Sequence, residues 1–101
     1  MNNKFRQLCV WQSTILDDAT PQKFEADMSD LFGGVRFKFA EEVIEKGGRH
    51  DLLFYVHDDD IDRFAIPRLQ YGIRWWEDVV KYNDGSYLYT DEVLNRYPGL
   101  W

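Results

Sequence analysis

Apolar and polar residues alternate with a period of two over residues 35–40 (VRFKFA), which is typical of a strand with one buried face. Residues 51–57 (DLLFYVH) contain five consecutive apolar or aromatic positions, which is typical of a strand buried on both faces. A Gly47-Gly48 pair between the two segments favours a turn. The pattern therefore predicts a β-hairpin over residues 35–57, with the first strand extending to about Ile44.

An earlier apolar segment, residues 6–16 (RQLCVWQSTIL), also has the character of a strand. Leu8 and Val10 point to one side of such a strand, and Cys9 and Trp11 point to the other. Apolar side chains on both sides predict a central strand that helices cover on at least one face.

Residues 20–34 have the period of a helix instead. Thr20 is a favourable N-cap residue, and a proline follows at the first helical position. Phe24, Met28 and Leu31 are spaced by four and three residues, which places them on one apolar stripe. Two glycines then favour the end of the helix.

The C-terminal half contains several short helical segments. We expect a helix from about 59 to 65, which Pro67 breaks because proline has no backbone donor. Oppositely charged residues at spacings of four predict a helix beginning at Arg74. A short edge strand is expected at 87–89, and a last helix, with Thr90 as its N-cap, is expected at 91–97.

The order of these elements is strand, helix, strand, strand and then mainly helices. The second and third strands are joined too closely for a parallel crossover, so the sheet should be mainly antiparallel. The sequence predicts one compact α+β domain over residues 1–101, with a three-stranded sheet in β-α-β-β order backed by helices.

Composition narrows the class of protein. The chain has 101 residues, a net charge of −6 and 17% aromatic residues. The acidic charge argues against direct binding to nucleic acid or to an anionic membrane surface. The single cysteine cannot form an intramolecular disulfide, and neither a signal peptide nor a membrane-length apolar run is evident. We therefore expect a cytoplasmic protein of a cell or host cell, without a cofactor.

The charge is concentrated in residues 41–62, which hold eight acids and two bases, a balance equal to the net charge of the whole chain. The predicted hairpin separates these acids into two groups about 20 Å apart. They form either a functional acidic face or an ordinary solvated surface. The acids are Glu41, Glu42, Glu45, Asp51, Asp58, Asp59, Asp60 and Asp62.

His57 precedes three consecutive aspartates at the end of a predicted strand. A histidine and carboxylates can bind a divalent metal or act as a base and its orienting group, with Asp59 and Asp60 as the candidates. The alternative is structural, since an aspartate at a helix start caps free backbone N–H groups. Adjacent aspartates point in different directions, which favours the capping interpretation.

Tryptophan and arginine are common anchors of protein interfaces, and Arg74, Trp75 and Trp76 are consecutive. On the predicted helix the two indoles point about 100° apart, so they either complete a small core or leave one ring beside Arg68 or Arg74 at the surface. The same two alternatives apply to Trp101, whose ring packs either on its own domain or on a partner.

The candidate interface residues outnumber the candidate catalytic residues, which favours a non-enzymatic protein-binding module. The most specific form of this hypothesis is an inhibitor or adaptor that docks on a basic, nucleic-acid-facing surface of its partner. Small acidic proteins that phages and mobile elements encode against host defence systems share this overall character. A homodimer is also compatible with exposed aromatic residues.

Two alternatives belong to other classes of protein. One is a metal-dependent enzyme or metal-binding domain centred on His57 and the Asp58–Asp60 run. The other is a small-ligand-binding domain with an aromatic pocket, for which the candidates are Tyr55, Tyr71, Trp75 and Trp76.

Overall fold

The computed structural model describes residues 3–12, 20–44, 50–82 and 89–98. Two short segments of the chain, Asp58–Asp60 and Pro67–Tyr71, form 3-10 turns. The other elements in chain order are β1 (Phe5–Gln12), α1 (Pro21–Leu31), β2 (Phe37–Ile44), β3 (His50–His57), α2 (Ile61–Ala65), β4 (Arg74–Trp75), α3 (Trp76–Tyr82) and α4 (Asp91–Arg96).

The strands form one antiparallel sheet in the order β2-β3-β1-β4. This confirms the α+β class, the central position of β1 and the hairpin formed by β2 and β3. The predicted three-stranded sheet is wrong by one strand, because Trp75 and Arg74 pair with Cys9 and Val10 on the free edge of β1. Strand pairing satisfies the backbone of β1 there, and helix α3 begins only at Trp76.

The described residues form two clusters of buried side chains, one on each face of the sheet. Cys9 and Leu52 belong to the cluster that α1 and α2 cover, and Phe24, Met28 and Phe64 are the buried side chains that these helices contribute. The second cluster lies under α3 and α4 and includes Leu8, Val10, Leu53, Trp76, Val79 and Val93. The alternation predicted along the first strand is therefore confirmed.

Helix α1 begins as the sequence predicts, because the Thr20 hydroxyl accepts a hydrogen bond from the Lys23 backbone N–H at 3.1 Å. The predicted apolar stripe is only partly buried. Leu31 remains exposed, and the next residue, Phe32, enters the core in its place. Phe32 is the C-cap residue of the helix and lies four residues after Met28, so it continues the spacing of Phe24 and Met28, whereas Leu31 lies at the margin of the stripe.

A β-bulge interrupts the alternation of β2. Phe39 pairs with Phe54 and Glu41 pairs with Leu53, so Ala40 is the extra residue. The bulge shifts Glu41 onto the sheet face that α4 covers. The proposed turn at Gly47-Gly48 and residues 13–16 of the first predicted strand lie outside the described residues, as does most of the edge strand expected at 87–89.

The central position of β1 determines the chemistry of Cys9. Its side chain is fully buried, and this burial raises the pKa of the thiol far above its usual range. We expect the folded protein to react with iodoacetamide at least about 100-fold more slowly than the urea-unfolded chain, because the thiol must first be exposed by opening the sheet. Mass spectrometry of the single cysteine measures this directly. Equal rates in the two states would contradict the central placement of β1.

Candidate functional site

The chain turns sharply where β3 ends at His57. The Nδ1 atom of His57 accepts a hydrogen bond from the Asp59 backbone N–H at 3.1 Å, so the histidine caps the following 3-10 segment. At the start of α2, Asp60 makes no side-chain capping bond. The sequence predicts that the aspartates cap the start of this helical region. That prediction is wrong, because the capping side chain is His57, at the start of the 3-10 segment.

The first two aspartates of the run form ion pairs with the N-terminal strand region. Asp58 Oδ2 lies 2.7 Å from Nε of Arg6, and Asp59 Oδ2 lies 3.3 Å from Nζ of Lys4. Both pairs are partly exposed, and pairs of this kind contribute little stability. They do neutralise much of the charge that the sequence concentrates here.

Asp60 is fully buried and joins three parts of the chain. Its Oδ2 atom accepts hydrogen bonds from the backbone N–H and Nε of Arg36, both at 2.9 Å, and Oδ1 accepts from Arg36 Nη2 at 3.2 Å and from Arg63. The hydrogen bonds from Arg36 hold the pKa of Asp60 well below its usual range. This carboxylate therefore fastens the start of β2 to the 3-10 segment and α2.

Metal binding at this end of β3 stays a hypothesis. Within the described ranges, no three His, Cys, Asp or Glu side chains are grouped so that they could hold a metal ion. The two metal candidates beside His57 are Asp59 and Asp60, and each makes the contacts given above with a cationic side chain.

The acids of β2 are paired with different elements. Glu41 accepts from Nε and Nη2 of Arg96 at 3.2 and 2.9 Å, and Glu42 lies 2.7 Å from Nδ1 of His50. The structure thus gives five of the eight predicted acids separate partners, and buried Asp51 accepts a hydrogen bond from the Tyr89 hydroxyl at 2.7 Å. Glu45 and Trp101 lie outside the described residues.

The two adjacent tryptophans occupy opposite faces of the sheet. Trp76 is buried in the second cluster, and its indole N–H donates to the carbonyl oxygen of Tyr97. Trp75, in β4 beside Arg74, packs against the first cluster. The guanidinium carbon of Arg68 lies 4.3 Å from the centre of the Trp75 ring. Of the four aromatic pocket candidates, Tyr55 and Trp76 are brought together, whereas Tyr71 and Trp75 lie on the other side.

An exposed apolar surface lies next to Trp75. Ile66 and Leu69 are 78% and 63% exposed, and Tyr71 is 36% exposed. In a 3-10 segment, side chains three residues apart lie one above the other, and the Leu69 N–H donates to the Ile66 carbonyl at 3.1 Å. We call Ile66, Leu69 and Tyr71 the apolar ridge.

The ridge stands on a well-bonded backbone. Gly72 adopts a left-handed conformation with φ of 69°, and its N–H donates to the Leu69 carbonyl at 3.2 Å. The Ile73 N–H bonds the Arg68 carbonyl at 3.2 Å, and Arg68 Nη1 returns a bond to the Ile73 carbonyl at 2.8 Å. The ridge therefore does not need to be ordered by a partner.

Aromatic contacts join the ridge to the first cluster. The Tyr71 ring lies 5.2 Å from that of Phe32 and 6.5 Å from that of Trp11, both edge to face. Leu31, which precedes Phe32, is also exposed. Exposed apolar surface concentrated in this way is typical of a protein-interaction site.

Helices α1 and α2, which cover the same face of the sheet, carry three exposed acids. Asp27 and Asp30 lie on the exposed side of α1, and Asp62 is exposed on α2. None of the three forms an ion pair with the part of the chain that the structure describes. The nearby cation Arg63 is paired with Asp60. Arg68, in the ridge segment itself, contacts the Trp75 ring and the Ile73 carbonyl but forms no ion pair with the residues that the structure describes, so the charge without an ion pair on this side includes an arginine as well as the three acids.

Sequence reasoning did not find the ridge. Ile66 and Leu69 flank Pro67, and we treated that segment only as a helix break. The available signal was a pair of large apolar residues three apart in a segment too short to bury them. Their exposure depends on the tertiary position of the 3-10 segment.

Comparisons with protein-family models, curated proteins and solved structures gave no match for this chain. Among the helices in the described ranges, none is long and apolar enough to cross a membrane.

Proposed function

We propose that the protein is a non-enzymatic binding module whose apolar ridge docks into an apolar cleft of a partner protein. The observation that carries the proposal is the exposure of Ile66 and Leu69 on a backbone held by hydrogen bonds. A pre-ordered apolar anchor loses little conformational entropy when it binds, so more of its burial appears as affinity.

The partner surface that fits best is basic. Asp27, Asp30 and Asp62 provide exposed carboxylates without ion pairs on α1 and α2, and complementary charge at an interface rim speeds association and selects the partner. Basic surfaces with clefts are common in nucleic-acid-binding proteins, so we propose an inhibitor or adaptor of such a protein, acting in the cytoplasm.

Replacement of Leu69 by serine tests the anchor. We expect about 10- to 30-fold weaker binding to the partner, because a large apolar side chain at an interface centre typically contributes this much. Tyr82→Ser is the matched control, since Tyr82 is 62% exposed and lies on α3, the helix that covers the other face of the sheet. The measurement is quantitative capture of native-lysate proteins on the three immobilised proteins.

The expected result is one basic protein that the wild type and Tyr82→Ser retain, that Leu69→Ser loses, and that elution with salt or heparin releases. Retention of the same proteins by all three would overturn the docking surface. Recovery of only a second copy of this chain would replace the proposed partner by a homodimer.

A further inference from the structure

A cavity of about 160 Å³ lies on the sheet face opposite to the apolar ridge. Its walls are the side chains of Leu8, Tyr55, Trp76, Tyr97 and Pro98. The Trp76 and Tyr97 rings lie 6.1 Å apart at an interplanar angle of 76°, so they form two sides of a corner. A cavity of roughly 150 Å³ accommodates one benzene ring, and this cavity therefore has room for a single aromatic ring.

The walls are firmly held. The Trp76 indole N–H donates to the Tyr97 carbonyl, and the Trp76 ring also packs edge to face on Tyr89 at 5.0 Å. Burial raises the pKa of Tyr55, and burial together with Glu41 raises that of Tyr97, so both phenols keep their protons at neutral pH. The cavity is thus a pre-formed, uncharged aromatic site beneath a charged rim.

The rim carries both signs of charge, from Arg6, Arg96 and Glu77. Arg96 is occupied, because its Nε and Nη2 donate to Glu41 and its Nη1 donates to Glu92. The other two rim residues are more available for a ligand.

Arg6 has further hydrogen-bond donors at this rim besides the one that bonds Asp58. Its side chain is 76% exposed and bonds Asp58 through Nε alone, which leaves the Nη groups without a hydrogen bond to any residue the structure describes. Glu77 is half-buried and makes no ion pair with those residues. A guanidinium and a carboxylate therefore stand beside one aromatic cavity, each able to accept a partner of opposite charge.

We propose that this cavity binds a small zwitterion with one aromatic ring, the chemical class of the free aromatic amino acids. The ring fills the space between Tyr55, Trp76 and Tyr97. The ligand carboxylate bonds Arg6, and the ligand ammonium pairs with Glu77. A ligand with only one of the two charges leaves the other rim group without its partner, so the rim discriminates against it.

The test is a titration of the ¹⁵N-labelled full chain, followed by NMR at backbone and indole N–H groups. The probes are L-phenylalanine, phenethylamine, which lacks the carboxylate, and 3-phenylpropanoate, which lacks the ammonium. We expect L-phenylalanine to shift the Trp76 indole and the backbone of β1 and Tyr97, and each analogue to bind about tenfold more weakly. L-Leucine tests the need for the ring.

Two variants assign the charges. Arg6→Gln should weaken L-phenylalanine about tenfold and leave phenethylamine unchanged, and Glu77→Gln should weaken L-phenylalanine about tenfold and leave 3-phenylpropanoate unchanged. Leu69→Ser is the control and should bind all probes like the wild type. Absence of shifts at millimolar L-phenylalanine, or equal affinity for the three aromatic probes, would overturn the proposal. Neither result affects docking at the apolar ridge.

Discussion

Replacement of Phe64 by alanine is expected to lower the free energy of unfolding by about 4 kcal/mol. The Phe64 side chain is fully buried, and its ring lies 4.8 Å from that of Phe32 and 5.1 Å from that of Phe37. The Phe54 and Trp75 rings are 6.3 and 6.0 Å away. Removal of the ring therefore leaves a cavity where α2 and both strands of the hairpin meet. Urea unfolding followed by circular dichroism measures the loss.

The matched control for Phe64 lies two residues further along the chain. Ile66 is also apolar but is 78% exposed, so Ile66→Ala should change stability by less than about 0.5 kcal/mol. Equal losses for the two variants would contradict the placement of Phe64 in the core and of Ile66 on the surface. The same pair separates stability from binding, since Ile66→Ala is expected to weaken the proposed partner interaction while the fold remains intact.

Replacement of Asp60 by alanine is expected to cost about 3 kcal/mol, because Arg36 and Arg63 lose the buried carboxylate that both bond. The backbone N–H of Arg36 also loses its acceptor. This loss is at the low end of those caused by breaking a buried ion pair, because both guanidinium groups are exposed to solvent. Asp62→Ala, at an exposed neighbouring acid, should stay within about 0.5 kcal/mol of the wild type.

The same carboxylate sets a pH dependence. Its pKa in the folded protein lies below the value of about 3.9 expected in the unfolded chain, so the unfolded state binds the proton more readily. The stability contributed by Asp60 is complete above that unfolded value and is lost as the pH falls towards the folded value. Urea midpoints between about pH 5 and pH 2 should fall more steeply for the wild type than for Asp60→Asn. Parallel profiles would show that Asp60 does not hold a depressed pKa.

Local signals in the sequence predicted much of the fold. The N-caps Thr20 and Thr90 accept hydrogen bonds from the backbone N–H groups three residues later, as short-range rules require. The two-faced β1 and the hairpin of β2 and β3 followed from period and turn residues alone. These elements depend on neighbours in the chain, so a single sequence contains the information that specifies them.

The features that were missed depend on distant partners. Strand β4 has two residues, and Trp75 joins the sheet only because Cys9 offers a free strand edge 66 positions earlier. Asp60 is buried by an arginine that lies 24 residues away in sequence. The exposure of Leu69 likewise reflects where the 3-10 segment is held against Trp75. No local sequence pattern encodes these long-range contacts, which is why the candidate site was only partly predicted.

Site-specific photo-crosslinking tests the docking function most directly. A benzophenone side chain is placed at position 66 in one variant and at position 82 in another, and each protein is irradiated in native lysate. We expect position 66 to give one dominant adduct with a basic protein, which excess unlabelled wild type suppresses, and position 82 to give none. Adducts of equal yield from both positions, or adducts from position 82 alone, would contradict the account.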